Sequence, residues 1–322
     1  MKVGIVGAGI AGLACADRLA EQGWQVRLFD KGRGPGGRMS TRRLATGDGD
    51  ASFDHGAQYL TARDPRFCKA VADWQARGIV APWPAAGKDA LVGVPAMNAV
   101  VRDMAERHDV TFGAAVRAVE HQSNGWHLHL AGSAAGPFDI LILAIPAEQA
   151  GPFLSLHDFA LGRAALRERS LPCWTAMLAF DRPLPIAADA LRSAGIIGWA
   201  ARNNAKPGRS GPESWVLHAN PEWSQRHCED EGDSVLERML AAFADEFDVE
   251  LPAPTASAIH RWRFARTPGT GDAILWNGDK LLGACGDWLL GPRVECAWLS
   301  GDMLGARIVS SITGDHKVES AA

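Results

Sequence analysis

One tyrosine, Tyr59, stands against twelve tryptophans and eleven phenylalanines, so aromatic walls in this protein must be built from indole and phenyl rings rather than paired phenols. Six cysteines (Cys15, Cys68, Cys173, Cys228, Cys285 and Cys296) are scattered without a Cys-x-x-Cys pair, which suggests neither a zinc site nor a disulfide framework. They read as reduced, mostly buried thiols. The longest apolar run, Ile140–Ala147, is interrupted by Pro146 and falls far short of the roughly 18 residues a membrane helix needs. Strong charge is also missing. With 33 basic and 37 acidic residues, a net charge of -4 and a pI near 6.2, electrostatics give no reason to expect nucleic acid or an acidic membrane as partner. No basic stretch with a cleavable apolar segment precedes the first strand pattern, so a cytoplasmic address is expected.

What is present is an ordinary globular composition, 47% hydrophobic and 22% charged, over a length that suits about two domains. Residues 2–30 read as a βαβ unit: an apolar run Val3-Gly4-Ile5-Val6, a Gly-rich turn, a helix Leu13 to Glu21, and a strand Gln25 to Phe29. From Lys31 to Asp54 the chain is rich in Gly, Arg and Asp, and reads as an extended loop. Helical spacing returns over Pro65–Arg77 and Met97–Arg107, with short strands expected between Val80 and Pro95. A hairpin is expected over Thr111–Leu130, Asn124-Gly125 supplying positive φ at its turn. Ile140-Leu141-Ile142-Leu143 has the all-apolar pattern of a central parallel strand. Between about Glu148 and Thr270 the pattern shifts to long strands (Trp174–Phe180, Ile196–Ala200, Ser214–Ala219, Thr255–Phe264) and one amphipathic helix, Ser234–Phe247, as in a mostly antiparallel second domain. Leu281–Cys285 restores a buried strand, Glu295–Ser311 a closing helix, and a polar tail is expected from Thr313.

Gly7-Ala8-Gly9-Ile10-Ala11-Gly12 lies between a strand and a helix. Its glycines suit a tight turn, close backbone approach to a pyrophosphate, and close helix–strand packing. Asp30 ends the second strand, where a carboxylate accepts from adenosine ribose hydroxyls and repels a 2′-phosphate. This fingerprint serves NAD and FAD alike. Gly34-Pro35-Gly36-Gly37-Arg38-Met39-Ser40-Thr41 separates them, because it resembles the second FAD signature of amine-oxidase-like flavoproteins.

Three further segments extend that likeness: Asp54-His55-Gly56-Ala57-Gln58-Tyr59, Arg261-Trp262-Arg263, and Ala284-Cys285-Gly286-Asp287-Trp288. In this order they resemble renalase and its bacterial homologues, a branch of the FAD-dependent amine oxidase superfamily. The resemblance implies an α/β fold: a Rossmann-type FAD-binding domain of the p-hydroxybenzoate hydroxylase/amine oxidase type with a second, mostly antiparallel-sheet substrate domain. It places residues 1–60, 98–147 and 272–322 in the former and residues 61–97 and 148–271 in the latter. It implies non-covalent FAD held by Gly7, Gly9, Ala11, Gly12, Asp30, Lys31, Gly37, Arg38, Met39, Gln58, Val116, Asp287, Val294 and Glu295. Cys296 marks where a cysteinyl-flavin would have to be tested.

The activity so implied is oxidation of isomeric dihydronicotinamides, the 2- and 6-dihydro forms of NAD(P), with dioxygen reduced to hydrogen peroxide. Hydride loss from such a ring gives an aromatic pyridinium directly, so no proton has to be removed and positioning carries the catalysis. Gln58, Trp288, Trp262 or Arg263, and His218 or Asn220 are the candidates to wall and orient substrate, none as a general base. Trp262 and Arg263 point to opposite faces of one strand, so only one readily faces the flavin. Gln58 reads equally as hydrogen-bonded scaffold, His218 more readily as a satisfied structural histidine, Trp288 equally as core, and the Ala297, Gly301, Gly305 stripe as helix packing. His127 and His129 share a face with no third ligand, so no metal is expected. Three alternatives stay open: an amine oxidase or flavin desaturase of a small apolar substrate, a flavin monooxygenase, and a non-enzymatic binding protein of the same fold. Lys206 is the only lysine between residues 150 and 270, where classical amine oxidases use a lysine-bound water.

Overall fold

The computed structural model describes residues 1–47, 49–167 and 169–314; all but the first two residues of the expected polar tail lie outside them. The chain divides into two compact units. The first comprises Met1–Gly37, Val101–Arg169 and the chain from Thr267 onward; the second comprises Arg38–Val100 and Ser170–Arg266.

The first unit is built on a six-stranded sheet in the order Leu275–Asn277, Leu282–Ala284, Ile140–Leu143, Lys2–Val6, Gln25–Phe29, Asp109–Thr111. All neighbours run parallel except the first pair. The apolar run Ile140–Leu143 is buried throughout and sits beside Lys2–Val6, Ile5 opposite Ile142. Two helices, Ile10–Ala20 and Val294–Thr313, pack closely because the second presents small residues. A Cβ on Gly301 would stand 2.0 Å from the Ala11 carbonyl oxygen, and one on Gly305 2.6 Å from the Arg18 Cβ. The small-residue stripe is thus a packing device. A three-stranded antiparallel sheet, Ala118–Gln122, Gly125–Leu130 and Ser133–Phe138, contains the expected hairpin. At its turn Gly125 alone takes positive φ (+124°), while the Asn124 side chain bonds the His127 ring at 2.9 Å. Val116 precedes the first of these strands rather than lying in it, and packs half-buried against the core formed by Val6, Phe29, Trp126, Leu143 and Trp288.

The second unit centres on a five-stranded antiparallel sheet in the order Ala190–Leu191, Ile197–Arg202, Glu213–Ala219, Leu171–Phe180, Ala256–Arg266. The helix Gly232–Glu246 covers one face and buries Met239 and Phe243 with Leu178 and Trp215. The expected loop from Lys31 to Asp54 contains instead a hairpin, Thr41–Thr46 paired with Gly49–Asp54. Its charged outer face (Arg43, Asp50) hides a period of two, whose inner residues Ala51 and Phe53 bury against Met177, Ala179 and Val216. That contact draws residues 38–60 into the second unit, where the sequence pattern had grouped them with the FAD-binding segments. Conversely, the helices Ala147–His157 and Phe159–Ala165 bury Ala150, Leu154 and Ala165 in the first unit's core. The short strands Val80–Pro82 and Leu91–Gly93 pair as expected between the helices Pro65–Ala76 and Ala99–Ala105.

Candidate active site

In the first unit the Gly-rich turn assigns each glycine a separate task. Gly7 has φ +102°, and a Cβ there would lie 2.4 Å from the Ala144 carbonyl oxygen; one on Gly12 would lie 2.1 Å from that of Gly7. A Cβ on Gly9 would meet nothing within 4 Å. Gly9 is also the N-cap of Ile10–Ala20 and has no side chain to cap it, so the first N–H groups of that helix, which have no acceptor within the helix, carry positive partial charge beside it. This is the donor set a pyrophosphate requires. A Cβ on Gly37, whose φ is +54°, would come within van der Waals reach of the Gly9 Cα.

Asp30 is held in place from both sides. Its Oδ2 accepts from the Ala8 N–H at 2.8 Å and its Oδ1 from the Gly32 N–H at 2.7 Å, leaving each oxygen a further lone pair. Lys31 is exposed, its Nζ 3.4 Å from Gln149 Oε1. At the other end of the unit Asp287 opens the short helix Asp287–Leu290 and is buried. Val294 and Glu295 open Val294–Thr313, whose N-cap, Arg293, makes no cap bond but pairs with buried Glu295 at 2.9 Å. Trp288 is only 2% exposed, donates from Nε1 to the Ile145 carbonyl at 3.1 Å, and belongs to the first unit's core.

The second unit gathers a buried polar cluster around Asp54. This carboxylate accepts from the Thr41 hydroxyl (2.7 Å) and the Met97 N–H (2.9 Å), and pairs with Lys206 (3.3 Å) and Arg209 (2.5 Å). Burial alone would raise its pKa, but the two cations and these hydrogen bonds hold it at about 2. Burial lowers the Lys206 ammonium to about 8 despite Asp54. Gln58 is locked from both ends of its amide: Oε1 accepts from Lys206 Nζ at 3.1 Å, and Nε2 donates to the carbonyls of Asp54 and, at 3.2 Å, Gly56. Those carbonyls take both amide protons, so the His218 Nε2, which lies 3.3 Å from the His55 carbonyl oxygen, is the donor to it.

His55 and His218 are both buried and both neutral at pH 7. Burial, with His260 and Arg42 adding to it, lowers His55 to about 4. Burial and then Arg266 lower His218 to about 3. Trp262 donates from Nε1 to the His55 carbonyl at 2.9 Å and stacks on the His55 ring, centroids 5.1 Å apart; His260 stands edge-on to both. Strand alternation sends Arg263 the other way, to an exposed pair with Glu229 at 2.8 Å. Asn220 caps the helix Pro221–Arg226, accepting from the Glu222 N–H at 3.0 Å. Met39 is buried in this unit, and Arg38 donates to the Ala265 carbonyl at 3.3 Å. The Arg38 carbonyl in turn accepts from the Ala57 N–H, and a Cβ on Gly56 would stand 1.9 Å from its oxygen. Asp54, Lys206 and Arg209 escaped the sequence reading as one cluster. Their only signal was the isolated Lys206-Pro-Gly-Arg209 in a lysine-poor segment.

Residues 5–74 match the NAD(P)-binding Rossmann-like domain, and residues 81–274 match the flavin-containing amine oxidoreductase model. The chain belongs to the flavin-containing amine oxidoreductases. It is an FAD-dependent oxidoreductase, and the open, donor-rich turn at Gly9 fits that cofactor. Among solved structures this flavoenzyme is similar to a candidate protoporphyrinogen oxidase from Exiguobacterium sp. 255-15 (TM-score 0.73, 13% identity, 97% of this chain and 99% of that one). It is also similar to cyclohexylamine oxidase from Brevibacterium oxydans IH-35A (TM-score 0.68, 13% identity, 97% and 99%). At such identities the likeness concerns the fold. A 39-residue stretch is 57% identical to zeta-carotene-forming phytoene desaturase of Myxococcus xanthus, covering 12% of this chain and 8% of that protein. No helix among the described residues is long and apolar enough to cross a membrane.

Proposed function

We propose that this flavoenzyme is a renalase-type oxidase, which takes a hydride from 2- or 6-dihydro-NAD(P) and returns NAD(P)+ while dioxygen and a proton become hydrogen peroxide. The observation that carries this reading is the chemistry around Asp54. Its carboxylate is saturated by Thr41, Met97, Lys206 and Arg209, and the neighbouring imidazoles of His55 and His218 are too weakly basic to hold a proton at pH 7. A dihydropyridine losing hydride asks for no base, so a site of this kind suffices.

FAD, when bound, supplies the hydride-accepting ring that dioxygen reoxidises. Within the first unit, Gly7, Gly9, Ala11, Gly12, Asp30, Lys31, Gly37 and Val116 would hold its ADP half, and Asp287, Val294 and Glu295 its flavin half. Gln58 acts through its fixed amide, keeping the Asp54–Gln58 turn rigid. Trp262 and His218 are the polar aromatics best placed to orient substrate. Arg263, Asn220 and Trp288 have structural duties: a surface ion pair, a helix cap and the core.

Anaerobic stopped-flow tests the reading, with 2- and 6-dihydro-NAD(P), ordinary NAD(P)H and a panel of amines mixed against the yellow protein. Fast flavin bleaching by the isomeric dinucleotides alone is the expected result. Bleaching by amines instead would leave an amine oxidase or desaturase and overturn the proposal.

A further inference from the structure

Trp83 and Trp199 are 3% and 6% exposed, and neither indole N–H finds an acceptor among the described residues. A buried donor without an acceptor is costly and rarely left so. Here two occur on neighbouring rings, with centroids 6.4 Å apart and planes at 78°. They come from distant segments: Trp83 follows the strand Val80–Pro82, and Trp199 lies within Ile197–Arg202. Tyr59 packs on Trp199 at 5.6 Å. The exposed Arg192 lies over the same indole at 4.5 Å and donates to the Tyr59 hydroxyl at 3.0 Å. On the inner side Lys206 Nζ lies 5.1 Å from the Trp83 ring while bonding Gln58. The cluster is therefore continuous with the polar network around Asp54.

Its chemistry is one-sided. The charged groups over these rings are cations, Arg192 and Lys206, and the carboxylate within reach of Lys206, Asp54, is already matched by Arg209 as well. Unused N–H donors and cations recruit acceptors and negative charge; a protonated amine would be repelled.

We propose that Trp83, Trp199, Tyr59 and Arg192 form a binding site for a planar, acceptor-bearing anionic ligand, with Arg192 and Tyr59 as its outer wall. A dihydronicotinamide nucleotide, neutral at the ring and anionic at its phosphate, has this chemistry, so for its physiological ligand the site rests on the function proposed above; for the ligand class it does not.

Calorimetric titration of the FAD-loaded full chain with NADH, reduced nicotinamide mononucleotide and nicotinate tests this, in wild type, Trp199→Phe, Trp83→Phe and Arg192→Ala. The Phe variants keep an aromatic ring but lose the N–H together with the rest of the indole's five-membered ring, so their melting temperatures are read alongside. Each Phe variant should weaken binding about fivefold, the scale of one hydrogen bond, and Arg192→Ala should weaken the charged ligands more than a neutral control, nicotinamide. Unchanged affinities in all three variants, with flavin content and melting temperature as in wild type, would overturn the site even if the isomeric dinucleotides bleach the flavin. Nicotinate and mononucleotide binding that depends on these residues, without bleaching by any dihydronicotinamide, would keep the site and sink the function. Failure of the wild type to bind any of the anions would overturn the site outright.

Discussion

The two units build their sites in opposite ways. In the first, the turn Gly7–Gly12 works through backbone: what a missing Cβ permits, where a helix starts, which N–H groups stay free. In the second, the cluster around Asp54 works mainly through side chains that reach it from three separate stretches of chain, at Thr41, Gln58 and Lys206 to Arg209, with the Met97 N–H added from a fourth. A backbone site is written in consecutive letters. A side-chain cluster is written in residues that look unrelated until the sheet brings them together. The first kind of site should fail through sterics and the second through charge.

The largest effect tests the first half. Gly12→Ala should yield protein with almost no bound FAD, because its Cβ would overlap the Gly7 carbonyl oxygen and force the turn open. Gly9→Ala gains open space and should keep the wild-type melting temperature while losing FAD affinity by about tenfold, the equivalent of ~1.4 kcal/mol. Visible absorbance per protein and thermal melts separate the two. If both variants fail together, the distinction between packing glycine and ligand-facing glycine is lost.

Asp54→Ala carries the second half. It would strand Lys206 and Arg209 as buried cations, and removing one partner of a buried pair costs about 3–5 kcal/mol. Denaturant unfolding should show that loss, and Asp54→Ala with Lys206→Met should recover part of it. A single variant as stable as wild type would show that the ions are not buried as described.

The same contrast explains what was legible in the sequence. Strand, turn, helix and Asp30 follow one another over residues 2–30, and the structure returns them within a few residues of the expected bounds. The hairpin Thr41–Asp54 was missed because its inward-facing Ala51 and Phe53 are outnumbered by the Gly, Arg and Asp of its outer face. Trp288 and Asn220 were plausible site residues by position, yet tertiary contacts decide their roles: a 3.1 Å bond to Ile145 within a core, and a helix cap. His218 could be placed on a strand face from alternation, but its neutrality depends on burial, with Arg266 from another strand adding to it, and no local pattern announces that.

That neutrality has a pH signature. His55 and His218 titrate near 4 and 3 when folded, below the ordinary 6.5. Between those values the unfolded chain binds more protons than the folded one. The contribution of these rings is therefore complete above about pH 6.5 and is lost as pH falls toward 4 and then 3, on the order of 3 kcal/mol for His55 and about 5 for His218. Asp54, depressed from 3.8 to about 2, adds its loss only below pH 4. Unfolding midpoints at pH 7, 6, 5 and 4 should fall steadily, and His218→Gln should flatten the slope. A midpoint constant from pH 7 to 5 would mean the rings are hydrated and protonate freely.

The smallest effect separates two adjacent residues of the strand Ala256–Arg266. Trp262 turns inward to stack on His55 and donate to its carbonyl, while Arg263 turns outward to Glu229, 45% and 72% exposed at their side chains. An exposed pair of this kind gains little over its hydration, so Arg263→Ala should leave turnover and melting temperature within error of wild type. Trp262→Phe keeps an aromatic ring on His55 but removes the N–H, leaving the His55 carbonyl to His218 alone. Its kcat/KM should fall about tenfold, with flavin content preserved, if this ring orients the reacting partner. The reverse result, a silent Trp262→Phe and an impaired Arg263→Ala, would place the substrate on the other face of the strand and detach the Asp54 cluster from the chemistry.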